Sequence, residues 1–508
     1  MLSRRDPADI CASATARAVV ALIAVLIVGR LICAAVLPLA FDEAYYWLWS
    51  KELSFGYYDH PPMIALVIRL GTMIAGDTEF GVRLIAVLLG IPATWAVWRA
   101  ATILFDDRRI GADAALYFNL SLIVSIGTVL ATIDAPLVAG AAFVLFFLAK
   151  IVETDRGAWW LAVGVAMGFS LLSKYSAFFL GVGVVAWLVF TPSMRKWLRT
   201  PWPYLGGMIA LAMFAPVVVW NAQHEWASFL KQFGRTEVRG WEPAKLLEYV
   251  VTQAGVATPS VFILGIAGFI ALACRWDAVP RTRALLISLI APMALYFIWH
   301  SLHTRVQGNW TAPAAPAFAL VAAFAAHRVA WSGWRAPLMH WSRVLAVPVG
   351  LAISAAIYVQ AIFGVLPLGV ADPTARQIGA GMPALAREID AMREKIGART
   401  VLTTDYAMTA WLSFYLPSHP PVVQVTQRFR FVHRPEPPMT LFDGPLLYVC
   451  LTNYEGLASD ASRFNVFEKL GVVTRQRRGI TIESFILARV EGRKGDPFDR
   501  SPPPERQR

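Results

Sequence analysis

Apolar runs of about 20 residues recur along the chain, separated by short polar segments, and this rhythm dominates its hydrophobic pattern. A run of that length crosses a hydrocarbon layer of roughly 30 Å as a helix. The runs predict spans near 18–40, 82–104, 111–129, 132–150, 158–173, 174–190, 203–220, 254–274, 284–300, 311–330 and 343–367. Backbone polar groups find no water inside lipid, so such continuous runs predict helices; barrel strands would be shorter and alternating. Pro61 and Pro62 suit the first turn of a shorter helix over 63–75, which contains Arg69 and is expected on the membrane surface. Beyond about residue 370 the pattern changes. A helical period over 375–395 is followed by short apolar runs at 400–403, 421–425, 446–451 and 483–490, which predict buried strands. The expected fold is an all-α polytopic membrane bundle over 1–370 with a small α/β domain over 371–492 and a charged, Pro-rich, disordered tail over 493–508.

Composition agrees. Of 508 residues, 57% are hydrophobic and 16% charged, against about 25% charged in soluble domains. The net charge of +12 would suggest nucleic acid in a soluble protein. Here the bases gather in alternate loops: Arg108 with Arg109, Lys150 with Arg156, Arg195 through Arg199, Arg275 through Arg283, and Arg328 through Arg343. That is a topology signal with contact to anionic lipid, and no nucleic-acid partner is expected. It places the N-terminus in the cytoplasm and the α/β domain outside. The first apolar run follows Arg4, Arg5 and Arg17 and exceeds a signal-peptide core, so it reads as a retained anchor. The four cysteines have no metal-ligand spacing, and no structural disulfide is expected.

Candidate chemistry maps to the opposite loops. Asp42 and Glu43 open the run Phe41-Asp-Glu-Ala-Tyr-Tyr-Trp-Leu-Trp49. A carboxylate beside a membrane is costly unless wet or paired, and a general base for an acceptor hydroxyl is one reason to hold it there. Acids in the first turn of an interfacial helix explain them equally well. Adjacent helical residues diverge by about 100°, so the two acids are not expected to share one job. Asp59 and His60 follow Tyr58: imidazole can donate to phosphate and Asp59 can ligate a metal, yet the pair also suits a turn between helices. Asp134, before Pro136, reads as a helix cap or as a site acid. Lys174 either snorkels or meets a substrate anion. Arg305, with His300 and His303, offers donors for a phosphate leaving group or anchors a helix end.

The runs Asp42-Glu-Ala-Tyr-Tyr46, Tyr58-Asp-His-Pro-Pro62, Thr132-Ile-Asp-Ala-Pro136, Leu172-Ser-Lys-Tyr175 and Arg305-Val-Gln-Gly-Asn-Trp310 together resemble the bacterial branch of the protein O-mannosyltransferase superfamily. This is glycosyltransferase family 39, of GT-C fold, which includes the lipid A aminoarabinose transferase and rhizobial galacturonosyltransferases. The resemblance covers roughly 18–370 and implies about 11–13 membrane helices. It implies an inverting glycosyltransferase of the inner membrane, taking a sugar from a polyprenyl-phosphate donor to a lipid, glycan or protein acceptor on the outer face. It puts the base on Asp42, with Glu43 adjacent and Asp134 as a further acid. Tyr58, His60, Lys174, His303 and Arg305 would meet the donor. Where the aminoarabinose branch carries Glu-Lys, this chain carries Asp59-His60. No cofactor is required by this chemistry; a divalent metal on Asp59 is the optional addition. Other classes that fit a polytopic chain are a transporter or flippase, a glycan ligase, and an assembly protein. A transporter needs polar or broken helices near the midplane, whereas the charged residues here cluster toward predicted span ends.

Overall fold

A computed structural model describes residues 7–234, 240–274 and 280–500, with side chains from residue 16. Arg4, Arg5, Arg275 and residues 501–508 lie outside the described residues. Among those described, seven helices are long and apolar enough to cross a membrane: Ala16–Val36, Glu79–Phe105, Asp134–Thr154, Trp202–Gln223, Pro280–Ser301, Gly308–His327 and Arg335–Phe363. They correspond to seven of the expected spans. The other four differ, each for a local reason.

The run 111–129 is broken. Its helix Arg108–Leu120 ends where Ser121 turns extended and donates its hydroxyl to the Phe118 carbonyl, 2.8 Å away. The run 254–274 is two helices, Pro243–Ala257 and Pro259–Cys274, bent by 108°. Proline lacks the N–H that would continue the ladder and drives the preceding residue out of helical geometry; Thr258 takes φ 68°. The runs 158–173 and 174–190 become short apolar helices, separated at Lys174, whose backbone is extended.

Contacts sort the chain into two compact units, and the division falls differently from the expected boundary at 370. The first comprises 1–34, 60–67 and 83–356. Its core runs through Leu137, Leu145, Trp160, Trp187, Leu264 and Leu320. Helices in lipid gain little from apolar burial and instead pack where small residues let backbones approach. Gly164 and Gly206 do this for Trp159–Ser173 and Trp202–Gln223. A methyl group on Gly164 would lie 2.2 Å from the Gly206 carbonyl oxygen.

The second unit comprises 35–59, 68–82 and 357–508. It holds a five-stranded sheet of β1 (Val401–Thr403), β2 (Val422–Gln424), β3 (Leu446–Leu451), β4 (Phe464–Arg477) and β5 (Ile480–Arg493), in the order β2-β1-β3-β5-β4. β1 is parallel to β2 and β3, and β5 is antiparallel to β3 and β4. The helix Tyr406–Tyr415 starts under a cap from Asp405, whose carboxylate accepts from Met408 N at 2.9 Å. It carries the early segment 35–59 into this unit. Trp411 Nε1 donates to the Leu39 carbonyl (2.9 Å), Leu39 N donates to Tyr415 Oη (2.7 Å), and Phe41 meets the Trp411 ring edge-on at 6.1 Å.

The tail is not disordered from 493. β5 runs to Arg493, Lys494 N donates to Arg463 O at 2.7 Å, and Phe498 is buried against Phe442 with ring centroids 5.4 Å apart. One buried aromatic outweighs the polar composition around it.

The close helix crossing predicts an asymmetric response. Gly164→Ala is expected to lower thermal stability in detergent, costing about 1–3 kcal/mol as overpacking does. Gly207→Ala, where an added methyl meets nothing within 4 Å, should not lower it; equal losses would remove the packing argument.

Candidate active site

In the second unit, helix Phe41–Lys51 forms as the spacing of Asp42, Tyr45, Tyr46 and Trp49 predicts. Its two acids have separate fates. Glu43 is fully buried and its Oε2 accepts from Ala40 N at 2.7 Å, closing the first turn of its own helix. Glu43 thus caps its own helix, and the two adjacent acids do different things, as their divergence on the helix predicts. Asp42 takes no part in that capping bond and is half-buried.

Around Asp42 stand groups from a segment far along the chain. Tyr406 Oη lies 3.5 Å from Asp42 Oδ1. Arg430 donates from one terminal nitrogen to both oxygens of Asp59, at 2.9 and 3.2 Å, and its plane lies 4.2 Å from the Tyr406 ring centroid. Gln427 Oε1 accepts from Arg430 Nε at 3.0 Å, and Tyr45 Oη donates to the Arg430 carbonyl at 3.1 Å. Tyr58 packs on Phe429, ring centroids 4.8 Å apart, and lies 5.9 Å from the Arg430 guanidinium.

Burial among these rings disfavours the charged form of Asp42, and the negative charges of Asp59 and Glu43 add to that. Arg430 and the Tyr406 hydroxyl pull the other way. The balance pushes the Asp42 carboxyl up to about 7. Burial also opposes the charge on Arg430, but Asp59, Tyr45 and Tyr406 outweigh it and hold the guanidinium above its ordinary value. Asp42 is thus a carboxyl that can exchange a proton near neutrality, the property wanted of a general base.

The metal reading of Asp59 does not fit these partners. A guanidinium already occupies both carboxylate oxygens, and no group of three or more His, Cys, Asp or Glu suited to a metal occurs among the described residues.

The first unit holds a second polar cluster. Asp134 opens the helix Asp134–Thr154, and its Oδ1 takes the ammonium of Lys174 at 2.8 Å; both side chains are buried. Asn309 Nδ2 donates to the other oxygen at 2.6 Å, and Lys174 reaches the Asn309 carbonyl at 3.3 Å. Thr311 donates to Gln253 Oε1 at 2.7 Å, and Gln253 donates to the Gly308 carbonyl at 3.2 Å. Asp134 and Lys174 therefore pair with each other and, through Asn309, pin the start of Gly308–His327. Arg305 is exposed and paired with Glu248 at 2.7 Å. His303 sits between Trp299 and Trp241, with ring centroids 5.0 and 5.5 Å away. His60, half-buried, precedes the helix Met63–Ala75.

Sequence reasoning missed Arg430, Tyr406 and Asn309. The run Gln427-Arg-Phe-Arg-Phe-Val-His-Arg434 alternates arginines with aromatics inside a small domain, and that density was the available signal.

The architecture is a polytopic helical bundle with a small C-terminal sheet domain. It matches ArnT from Cupriavidus metallidurans bound to undecaprenyl phosphate with a TM-score of 0.64, over 95% of this chain and 99% of that one, at 18% identity. The apo form of the same protein matches at 0.62. Residues 59–220 match the family model of dolichyl-phosphate-mannose-protein mannosyltransferases. Among curated proteins, the lipid A galacturonosyltransferase RgtD of Rhizobium johnstonii is 25% identical over 283 residues, 54% of this chain and 57% of that protein. The undecaprenyl phosphate-alpha-4-amino-4-deoxy-L-arabinose arabinosyl transferase of Edwardsiella ictaluri is 25% identical over 211 residues, 39% of this chain and 38% of its own length. The matched region thus spans little more than half of the first of these relatives and less of the second.

The Lys174–Asp134 pair can be tested by stability alone. Lys174→Met leaves a buried carboxylate unpaired and is expected to cost about 3–5 kcal/mol. Adding Asp134→Leu should recover part of that loss in thermal unfolding; a double variant less stable than Lys174→Met would overturn the pairing role.

Proposed function

We propose that this protein is an inverting glycosyltransferase that moves a sugar from an undecaprenyl-phosphate-type donor to a hydroxyl of a lipid A-type glycolipid. The observation that carries the proposal is Asp42: a half-buried carboxyl pushed up to about 7, on a chain of ArnT-like fold. The relatives supply the substrate classes, since one is named for lipid A and the other for an undecaprenyl-phosphate sugar.

In this reading the acceptor oxygen attacks the anomeric carbon as its proton passes to the Asp42 carboxylate. The bond from that carbon to the phosphate oxygen breaks, and its electron pair leaves with the polyprenyl phosphate. The transition state is oxocarbenium-like, as in glycoside hydrolysis. Arg430 pairs with Asp59, and the Asp59 charge in turn raises Asp42. In the bundle unit we assign Arg305, with His303 and His60, to the donor phosphate, because Arg305 is exposed and a guanidinium suits phosphate oxygens. Lys174 is committed to Asp134 and is assigned to positioning. We place the N-terminus in the cytoplasm and the sheet domain in the periplasm from the distribution of Arg and Lys among the loops.

The test is transfer from radiolabelled undecaprenyl-phosphate sugars to native lipid in membranes at equal protein level. Asp42→Asn should reduce transfer by about 10²-fold or more; full transfer in the variant would remove Asp42 as base. A base must be unprotonated, so kcat/KM should fall below about pH 7 and rise to a plateau above it. Asp59→Asn removes a repelling charge and leaves Arg430 to act on Asp42, so the acid limb should move to lower pH. Arg430→Met removes an attracting charge and should move it higher. Shifts of the opposite sign would sink the coupling.

A further inference from the structure

The segment Arg428–Arg434 presents two faces. Arg430 turns to Asp59 and Tyr406, while Arg428 and Arg434 line a separate cavity of about 150 Å³ with Leu48, Glu52, Gln424 and Phe431. One water needs only ~10–15 Å³ of such space, so the cavity accommodates a small polyatomic anion with part of its hydration. The two guanidiniums are poorly matched by protein. Arg428 donates to the Gln424 carbonyl at 3.2 Å and lies over the rings of Phe431 and Phe498 at 5.5 and 5.0 Å, but its buried Nε has no hydrogen-bond acceptor. Burial pulls its pKa down to about 10. Arg434 donates to the Leu48 carbonyl at 3.2 Å, and its Nε stands 3.2 Å from Glu52, whose side chain is half exposed. The lining therefore carries two positive charges and one negative. The hydroxyls of the lining are spent, Thr409 on the Asp405 carbonyl and Ser413 on the Thr409 carbonyl, and Gln424 Nε2 gives one of its two N–H groups to the Thr426 carbonyl.

A buried guanidinium edge without an acceptor is costly, and planar N–H pairs match phosphate oxygens. We propose that this cavity is an anchoring subsite for a phosphate group on the glycolipid acceptor, held by Arg428 and Arg434 while a sugar hydroxyl elsewhere on the acceptor reacts. The assignment rests on the transferase reading for its occupant. The cavity shares two elements with the Asp42 site. Leu48 and Asp42 lie on one helix, and Phe431, on the cavity wall, packs against Tyr45 with ring centroids 6.0 Å apart. A bound phosphate would thus be registered against the helix that carries the base. Glu52 competes for Arg434 when the cavity is empty.

The test uses the full-length protein in nanodiscs and a direct binding titration, independent of transfer. Three probes are compared: a short-chain phosphorylated lipid A analogue, the same glycolipid without phosphate, and inorganic phosphate. The phosphorylated glycolipid should bind best. Arg428→Gln should weaken it about tenfold or more, the loss of a charge-assisted pair, without changing binding of the dephosphorylated form. Glu52→Gln frees Arg434 and should tighten phosphorylated-lipid binding about threefold, a direction that damage to the fold would not produce. Equal affinity for the two glycolipids, preference for inorganic phosphate over the phosphorylated lipid, or unchanged affinity in both variants would overturn the subsite. Donor hydrolysis by the same preparations is read separately: wild type that binds the phosphorylated lipid but turns over no donor would refute the transferase reading and leave the anion site standing.

Discussion

Arg430 brings its positive charge to Asp59 rather than to Asp42, and that choice sets the electrostatics around Asp42. With its terminal nitrogen on both oxygens of Asp59, the guanidinium satisfies one acid and only partly offsets the other. Asp42 is left among hydroxyls and rings, without a cation of its own. Were Arg430 to pair with Asp42 instead, that carboxyl would stay ionised and be a weak base; were both acids unpaired, they would repel. The ring of Tyr406 and the amide of Gln427 fix the guanidinium in its place. An incomplete charge balance is one way to bring a carboxyl near neutrality, and it raises Asp42 here.

The bundle uses the opposite device. Asp134, Lys174 and Asn309 form a closed set in which acid, base and amide are bonded to one another. Such a set costs desolvation but resists rearrangement. It ties the start of Asp134–Thr154 to the extended break at Lys174 and to the first turn of Gly308–His327. Loop geometry in this unit is consequently held by buried polar contacts, while apolar packing and close glycine crossings hold the helices themselves.

Much of this was legible in the sequence, and the limits have physical causes. Seven long spans, the helix of Asp42 and four of the five strands follow from hydrophobic periodicity alone. The remaining strand, β4, escaped because its opening run Phe464-Asn-Val-Phe-Glu-Lys-Leu470 mixes charged and polar residues with apolar ones; much of it is solvated, and no continuous apolar run announces it. The breaks at Ser121 and Thr258 escaped because single residues, not composition, decide them. Asp42 could be named from its motif and Asp134 from its position before Pro136. Arg430 could not, because its value arises from a contact between residues 371 positions apart. Periodicity reports local form; a charge pair closed by tertiary folding leaves only a density of arginines and rings behind.

The docking of the last described residues has a consequence for association. β2 ends the sheet on one side, and a terminal strand normally offers its open N–H and C=O groups to any passing extended chain. Asp499 N donates to the Val425 carbonyl at 2.8 Å, immediately beyond β2, with Phe498 buried as its peg. Phe498 and Asp499 thus cover part of the sheet's rim. Loosening them would uncover strand edge open to addition by another extended chain, so a segment remote from Asp42 bears on association.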